Sequence, residues 1–354
     1  MDETVRLLEN LLKGRDLIQA EAVFCMEQML SGNLPEAQVA ALLTALRAKG
    51  ETADELIGFV LAMRRAMRRI HLPGEVIVDT CGTGGDGKGT FNISTAAAFI
   101  VAAAGVKVAK HGNRSVSSLC GSADVLLELG VKVDMPQDIA ERCLKQAGIT
   151  FLFAPLYHPA MKAVALIRKD LGVRTVFNIL GPLVNPAGAE VQVIGVAEPG
   201  LLKKLSGVLK KLYTIDRRGS AVLVHEQGYD ELVLRAKADL FFVGPGRVTK
   251  KRVNAKALGL SRSSSAALAG QGSKENAQVM RAVLSGQKHP LSEVLCANAA
   301  LALYAASIPL QKTNPGLADK FSSLPKAVQC AQVTLASGSA LVKLGDLIDC
   351  SRSQ

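Results

Sequence analysis

The sequence predicts an α/β protein: a small helical domain plus a larger α/β domain with a mostly parallel central sheet and surrounding helices. Three observations predict it. Residues 1–70 carry helical periodicity and no strand pattern. After Pro73, short β-branched runs alternate with helical stretches, as parallel strands joined by crossover helices do. The first of these strands runs into a glycine-rich turn that opens a helix.

Val5, Leu8, Leu11 and Leu12 fall on one helical face, and Gly14 ends that element. Ala22, Val23, Met26, Met29 and Leu30 form a second stripe, stopped by Gly32. Pro35 sits where a first-turn proline is tolerated, and the third helix runs to Gly50. Thr52 and Glu55 make a capping box for a fourth helix, expected to reach about Arg69. Beyond Pro73, strands are expected at Val76–Val78, Val106–Val108, Val131–Val133, Ile149–Phe153, Val191–Val196 and Ala221–Val224, with a small-residue helix near Thr95–Ala104. Residues 158–190 turn helical and loop-like again, over His158–Asp170 and Thr175–Leu180. The expected division is residues 1–73 as the helical domain, completed by about 158–190, with 74–157 and 191–354 as the α/β domain.

Composition excludes several classes. Aromatics are 4% of the 354 residues and Trp is absent, so the core is expected from Ala, Val, Leu and Ile. Seven cysteines, with no CxxC pair, argue against a disulfide framework or zinc site and for a reducing cytosol. The acidic, amphipathic start lacks the basic n-region of a signal peptide, and the apolar stretch Ala96–Val106 is too short to span a bilayer. The net charge of +11 fits nucleic acid, an anionic membrane or small phosphorylated substrates, and does not choose among them.

The first chemical feature is the run Asp79–Thr95, with Gly82, Gly84, Gly85, Gly87 and Gly89. Such a loop lets successive backbone N–H groups form an anion nest beside the positive end of a helix. Ser94 and Thr95 add hydroxyls. It is neither a Walker A loop nor a good GxGxxG, and the alternative is a ligand-free turn. Asp86 would repel a phosphate directly, so it is expected to orient the loop or a metal-bound water. The second feature, Lys110–Asp124, crowds Lys110, His111, Asn113, Arg114, Ser115, Ser117, Ser118 and Ser122 just beyond the next strand. These are donors for phosphate and ribose oxygens. In an open parallel sheet both loops lie outside the carboxyl ends of strands, where ligands bind.

GTGGD, NIST and KHGNRSVSS…GSAD together resemble the phosphate-binding signatures of the anthranilate phosphoribosyltransferase family. The resemblance continues through His158–Met161, Arg168, Arg174–Pro186 and Gly228–Leu232, and so covers nearly the whole chain. It implies a nucleoside-phosphorylase-like fold, a homodimer, and an α/β domain that binds phosphoribosyl pyrophosphate. Gly82, Gly85, Asp86, Thr90, Asn92, Ile93, Ser94 and Thr95 would hold the pyrophosphate and its metal. Lys110, His111, Gly112, Asn113, Arg114, Ser115, Val116, Ser117, Ser118 and Ser122 would hold pyrophosphate and the ribose 5′-phosphate. Gly82, Asn113 and Arg168 would face anthranilate, and Ser94, Asp230 and Glu231 would bind two Mg²⁺ ions. Departures from the family pattern stand at Ala163, Leu166, Leu119, Gln227 and Tyr229.

Each assignment has a plainer reading. Asp230-Glu231 is also an ordinary exposed acidic pair; adjacent strand residues face opposite sides, so two ligands here need a bend, and Gly228 allows one. Arg168 is also an exposed helix charge, although its planar fork suits a carboxylate. His111 could act as a base or simply build the loop; it is assigned to binding. Arg64, Arg65, Arg68 and Arg69, with Lys250, Lys251 and Arg252, read as solvated surface, and Cys81 and Cys120 as small packing residues. No acid–base dyad is evident. Catalysis is therefore expected to be electrostatic, with inversion at the anomeric carbon, no nucleic acid or membrane partner, and a cytoplasmic location. Two other classes compete: a pyrimidine nucleoside phosphorylase running in reverse, and a nucleic-acid-binding relative that lost the chemistry. Dispersed basic residues and scarce aromatics weigh against the second.

Overall fold

Four helices open the chain: α1 (Glu3–Leu12), α2 (Gln19–Ser31), α3 (Glu36–Lys49) and α4 (Ala53–Ala66). The computed structural model of the chain describes residues 2–115 and 119–353. Thr52 caps α4 as expected, its side chain accepting from the Glu55 amide. The helix stops at Ala66, short of Arg69. There the backbone leaves to pair between lobes: Arg68 N donates to Tyr157 O at 2.8 Å and Ile70 N to Pro186 O at 3.1 Å.

The α/β layer begins with β1 (Ile77–Thr80), α5 (Ile93–Ala103), β2 (Lys107–Gly112), α6 (Ser122–Glu128), α7 (Gln137–Gln146) and β3 (Ile149–Phe153). Val131–Val133 is not a strand. Its alternate side chains are buried, which produced the strand-like pattern, but Val131 N bonds Leu126 O and Lys132 N bonds Ser351 Oγ, so no ladder forms. Short α8 (Ala154–Tyr157), α9 (Lys162–Leu171) and α10 (Phe177–Leu180) follow, then β4 (Val191–Gly195), α11 (Pro199–Asp216) and β5 (Ser220–His225).

The chain then turns back as a hairpin, β6 (Ala238–Gly244) and β7 (Arg247–Val253). It finishes in α12 (Ser265–Leu268), α13 (Ser273–Leu284), α14 (Ser292–Thr313), α15 (Pro315–Asp319), α16 (Leu324–Ala336) and α17 (Ser339–Arg352). The strand order is β3-β2-β1-β4-β5-β6-β7; β1 to β5 are parallel, and β6 and β7 antiparallel.

Period-two alternation divides the core. On β5, Val222 and Val224 join the cluster under α5, α13, α14, α16 and α17. Ala221 and Leu223 face the other way, into a cluster shared by α1–α4, α9, α10 and α11. The helical bundle thus packs onto the sheet through α11 and through residues 164–184. Helix α14 is long and apolar enough to cross a membrane by length and composition, unlike Ala96–Val106, but most of it is buried in the α/β core.

Candidate active site

The strand order reverses between β1 and β4, and a crevice opens at their carboxyl ends. Thr83 N donates to Gly195 O across it at 2.8 Å. The bend at Asp230 seats directly in this crevice, and only glycine leaves it room. A Cβ on Gly195 would lie 1.5 Å from Asp230 O, and one on Gly82 would lie 3.1 Å from Asp230 Oδ2.

That bend is heavily braced. After β5 the chain makes a tight turn from Glu226 to Tyr229, with Gln227 at φ 51° and Leu234 at φ 60°. The Glu226 carboxylate, wholly buried, accepts from the amides of Val233 and Leu234, both at 2.9 Å, and of Arg235 and Ala236. Asn298 of α14 accepts from Leu232 N at 3.1 Å and donates to Leu232 O at 2.8 Å. Neither Glu226 nor Asn298 stood out in the sequence. The bend brings both acidic side chains to one crevice: Asp230 against Gly82, and Glu231 Oε1 accepting from Ser94 N at 3.2 Å. Lys110, buried, donates to Ser94 Oγ at 3.3 Å and to the Thr80 carbonyl.

Burial raises the carboxyl pKa of Asp230, and the nearby Asp86 charge raises it further. Burial likewise raises Glu231, with Asp230 adding to it. The carboxylates of Asp86, Asp230 and Glu231 thus crowd one another, Asp86 raising Asp230 and Asp230 raising Glu231, an arrangement that suits a divalent cation, whose charge removes the repulsion. Among the described residues no group of three or more His, Cys, Asp or Glu forms a metal cage. Substrate oxygens and water would therefore complete a hard-cation shell, as is usual for Mg²⁺.

Other predicted residues separate into those near the crevice and those holding it. Asp86 Oδ1 accepts from Lys88 N at 2.9 Å. Thr90 pairs with Ala269 across a single bridge. The Asn92 amide group is occupied, donating to Cys120 O at 3.1 Å and accepting from Asn276 at 3.0 Å. The Ile93 side chain lies in the core and its amide bonds Phe91 O at 2.7 Å, so Ile93 builds the helix start; Thr95 is buried beside it. In the second loop, Asp124 closes the base by accepting from Ser115 N and Gly121 N, both at 2.9 Å, and lies 3.7 Å from Arg114. Ser122 Oγ donates to Asn113 O at 3.2 Å. Val116, Ser117 and Ser118 lie outside the described residues.

Beyond this loop a cavity of about 360 Å³ opens toward the helical lobe. Cys81, Gly112 and Asn113 form its donor-side wall; Arg168, Phe177, Met161 and His158 line the opposite wall. Arg168 stacks on Phe177, with its guanidinium carbon 5.1 Å from the ring centroid, and has no acidic partner among the described residues. Burial lowers its pKa. A desolvated, uncompensated guanidinium is a receptor for a carboxylate. His111 and His158 lie 5.1 Å apart, centroid to centroid. Burial pushes His111 down to about 3, and His158 to about 4, so both are neutral imidazoles at ordinary pH. Among the described residues, both ring nitrogens of His111 and Nε2 of His158 lack a well-aligned hydrogen-bond partner, although the Gly181 backbone lies close to the His111 ring. His158 and Phe177 fall within segments that carry the family resemblance but were assigned no site role; their place becomes visible only when α8–α10 fold over the loop. Burial raises the Cys81 thiol to about 12, so it is no nucleophile.

Two family models match in order: the glycosyl transferase family helical bundle domain over residues 5–67, and the glycosyl transferase family a/b domain over residues 74–341. The anthranilate phosphoribosyltransferase of Moorella thermoacetica is 46% identical over 342 residues, 96% of each chain. That of Pelotomaculum thermopropionicum is 45% identical, over 97% of this chain and 95% of its own. The crystal structure of the Thermus thermophilus enzyme matches with a TM-score of 0.89 at 38% identity, covering 100% of both chains. The Saccharomyces cerevisiae enzyme, in complex with PRPP and Mg, matches with a TM-score of 0.86 at 25% identity, covering 99% of this chain and 98% of its own. The chain belongs to the anthranilate phosphoribosyltransferase family.

The departures from the family pattern avoid the cavity. Leu119 and Leu166 are exposed, and Ala163 faces α2 near Gly32. Tyr229 accepts from Arg235 at 3.0 Å, and Lys88 lies 5.3 Å from the centre of its ring. A larger cavity, about 510 Å³, lies at the amino ends of β4 and β5, away from this crevice, and is lined by Arg64, Arg65, Arg69 and Arg218. Size does not make it the site. Arg64 is already paired with Asp216 at 3.2 Å, and Arg218 lies 3.9 Å from Glu190.

Proposed function

We infer that this chain transfers the 5-phosphoribosyl group from phosphoribosyl pyrophosphate to the amine of anthranilate, giving N-(5-phosphoribosyl)anthranilate and pyrophosphate, in tryptophan biosynthesis. One observation carries the reading: the wall that ends the phosphate crevice, Cys81 with Gly112 and Asn113, also begins the cavity that holds Arg168, which has no acidic partner among the described residues. A donor in the crevice and an aromatic carboxylate on Arg168 would meet across that wall.

The bond between the anomeric carbon and pyrophosphate oxygen breaks as the amine nitrogen bonds to that carbon from the opposite face, and one amine proton then passes to water or to the departing pyrophosphate. Bound Mg²⁺ would supply positive charge to the leaving pyrophosphate. Asp230, Glu231 and Ser94 would hold two such ions. Gly82, Gly85 and Lys110 would orient the pyrophosphate, and Asn113 to Ser118 with Ser122 the ribose 5′-phosphate. Arg168 and Asn113 would hold anthranilate by its carboxylate and amine ends. The aromatic amine is already a nucleophile, so placement supplies much of the rate and no strong base is needed. Neutral His111 and His158 fit a wall that packs an aromatic ring, and closure of the lobes would exclude water. The enzyme would work in the cytoplasm as a homodimer.

Loss of anthranilate fluorescence on mixing protein, phosphoribosyl pyrophosphate and Mg²⁺ tests the reaction. The loss should need all three. None in the intact protein, across a range of Mg²⁺, would sink the reading and revive the nucleoside phosphorylase alternative.

A further inference from the structure

Arg174 does not line the acceptor cavity, yet it reaches the phosphate loop. Gly172, at φ 61°, ends α9 and turns the chain away from Arg168. Arg174 then donates through Nη2 to Gly84 O at 3.1 Å and through Nη1 to Gly85 O at 3.4 Å. The carboxylate of Glu198, where α11 begins, lies 3.6 Å from Nη1 and anchors the guanidinium from behind. The fit is close: a Cβ on Gly85 would stand 3.0 Å from the guanidinium carbon, and Gly85 itself sits at φ 74°.

The two glycine carbonyls carry the consequence. A trans peptide points its C=O and the following N–H in opposite directions. Holding the carbonyls of Gly84 and Gly85 toward Arg174 therefore turns the amides of Gly85 and Asp86 to the other side of the loop, as an anion nest requires. Gly84 and Gly85 are both in the left-handed region, which glycine leaves readily, so the loop has little stiffness of its own. Thr83 N on Gly195 O pins its base, Gly84 reaches Asp230, and Gly270 N on Gly89 O at 2.7 Å holds the far end, which leaves the Gly84 and Gly85 carbonyls to Arg174.

Arg174 also belongs to the acceptor wall by connectivity. Arg168 and Phe177 lie in the cavity on either side of it, and Val176 and Phe177 are packed in the helical-lobe core. Thr175 N donates to Asn178 Oδ1 at 2.9 Å, which stiffens the link between Arg174 and Phe177. We propose that Arg174 is a positioning residue: it sets the amides of the donor loop and ties that loop to the acceptor segment 168–177, without touching the reacting atoms. The proposal rests on the phosphoribosyl-transfer reading for the identity of its anion.

The test is calorimetric titration of Mg²⁺-phosphoribosyl pyrophosphate into the intact chain, Arg174→Gln, Arg174→Lys and the control Lys169→Gln, with steady-state kinetics beside it. Charged hydrogen bonds of this kind predict a donor Kd and KM raised about ten-fold or more in Arg174→Gln. Arg174→Lys, with one donor direction in place of a fork, should recover part of that loss, and Lys169→Gln should match the parent. The anthranilate KM should stay within about two-fold of the parent, because Arg168 keeps its place. Glu198→Gln covers the case in which Arg174→Gln fails to fold; it should raise the donor KM by a smaller factor. An unchanged donor Kd in Arg174→Gln overturns the proposal. So do equal rises in both KM values, which mark general loosening. If the intact chain binds the donor but does not consume anthranilate, the acceptor assignment fails while the titrations still decide Arg174. If it binds no donor at all, both fail.

Discussion

The donor crevice and the acceptor cavity share a wall but are built in opposite ways. The crevice is made largely of backbone, held by side chains that brace it: Glu226 with four amides, Asn298 with Leu232, Lys110 with Ser94 and Thr80, with Thr83 Oγ1 and Asp86 Oδ2 buried and lacking a well-aligned partner among the described residues. Among the described residues, the cavity is lined by larger side chains with polar atoms left over: Arg168 without a carboxylate, and His111 and His158 with ring nitrogens that lack a well-aligned partner. Each construction suits the ligand proposed for it. A polyphosphate is gripped by many preset dipoles around a charge pair, which costs little reorganisation. A small aromatic acid is gripped by one strong cation and apolar walls, so its binding concentrates in few residues.

Changes at the charge pair should be the most severe. Asp230→Asn or Glu231→Gln removes charge that fits the metal, and kcat/KM should fall at least about a hundred-fold. Raising Mg²⁺ should restore part of it, and activity within a few-fold of the parent would break the contrast. On the other side, Arg168→Gln should raise the anthranilate KM about thirty-fold, with the donor KM nearly unchanged. A matching rise in the donor KM would mean the two sides are not separately built. Gly82→Ala tests the donor side of the shared wall, next to Cys81. Its Cβ would press on Asp230 Oδ2 at 3.1 Å and Gly195 O at 3.2 Å, so both KM values should rise, each by roughly five-fold.

The smallest effect is in pH dependence. His158 titrates ordinarily at 6.5 and in the fold at about 4. Between those values the unfolded chain takes up a proton that the folded chain refuses. The stability contributed by the neutral ring is therefore full above pH 6.5 and drains away as pH falls toward 4. In urea unfolding, His158→Asn should differ less from the parent at about pH 5 than at about pH 7.5. A gap that stays constant would mean the ring is not buried in its neutral form.

The same contrast explains what was legible in the sequence. The donor loop is local: five glycines within eight residues, after a strand and before a helix, are visible without any tertiary knowledge. The acceptor wall draws on Met63, His111, His158, Arg168 and Phe177, which are scattered along the chain, and Arg168 was found through the family resemblance. The four amphipathic helices and five of the six expected strands were readable from periodicity. Val131–Val133 misled because burial alternates there without a hydrogen-bonding neighbour. The hairpin β6–β7 was hidden by its charges. Lys250, Lys251 and Arg252 looked like plain surface but form the sheet's edge strand, where Lys250 lies 4.8 Å from the Phe241 ring centre and Arg252 pairs with Asp239 at 2.7 Å.

The bracing of the acidic bend has a consequence for the order of events as the chain acquires its structure. Asn298 lies 66 residues beyond Leu232, on a helix that must first dock beneath β4 and β5. Glu226 can gather its four amides early, since they lie within ten residues of it. The bend thus combines a local brace with one long-range lock that only a docked α14 supplies. Mg²⁺ added to a refolding chain should leave the early phases untouched and alter the last one.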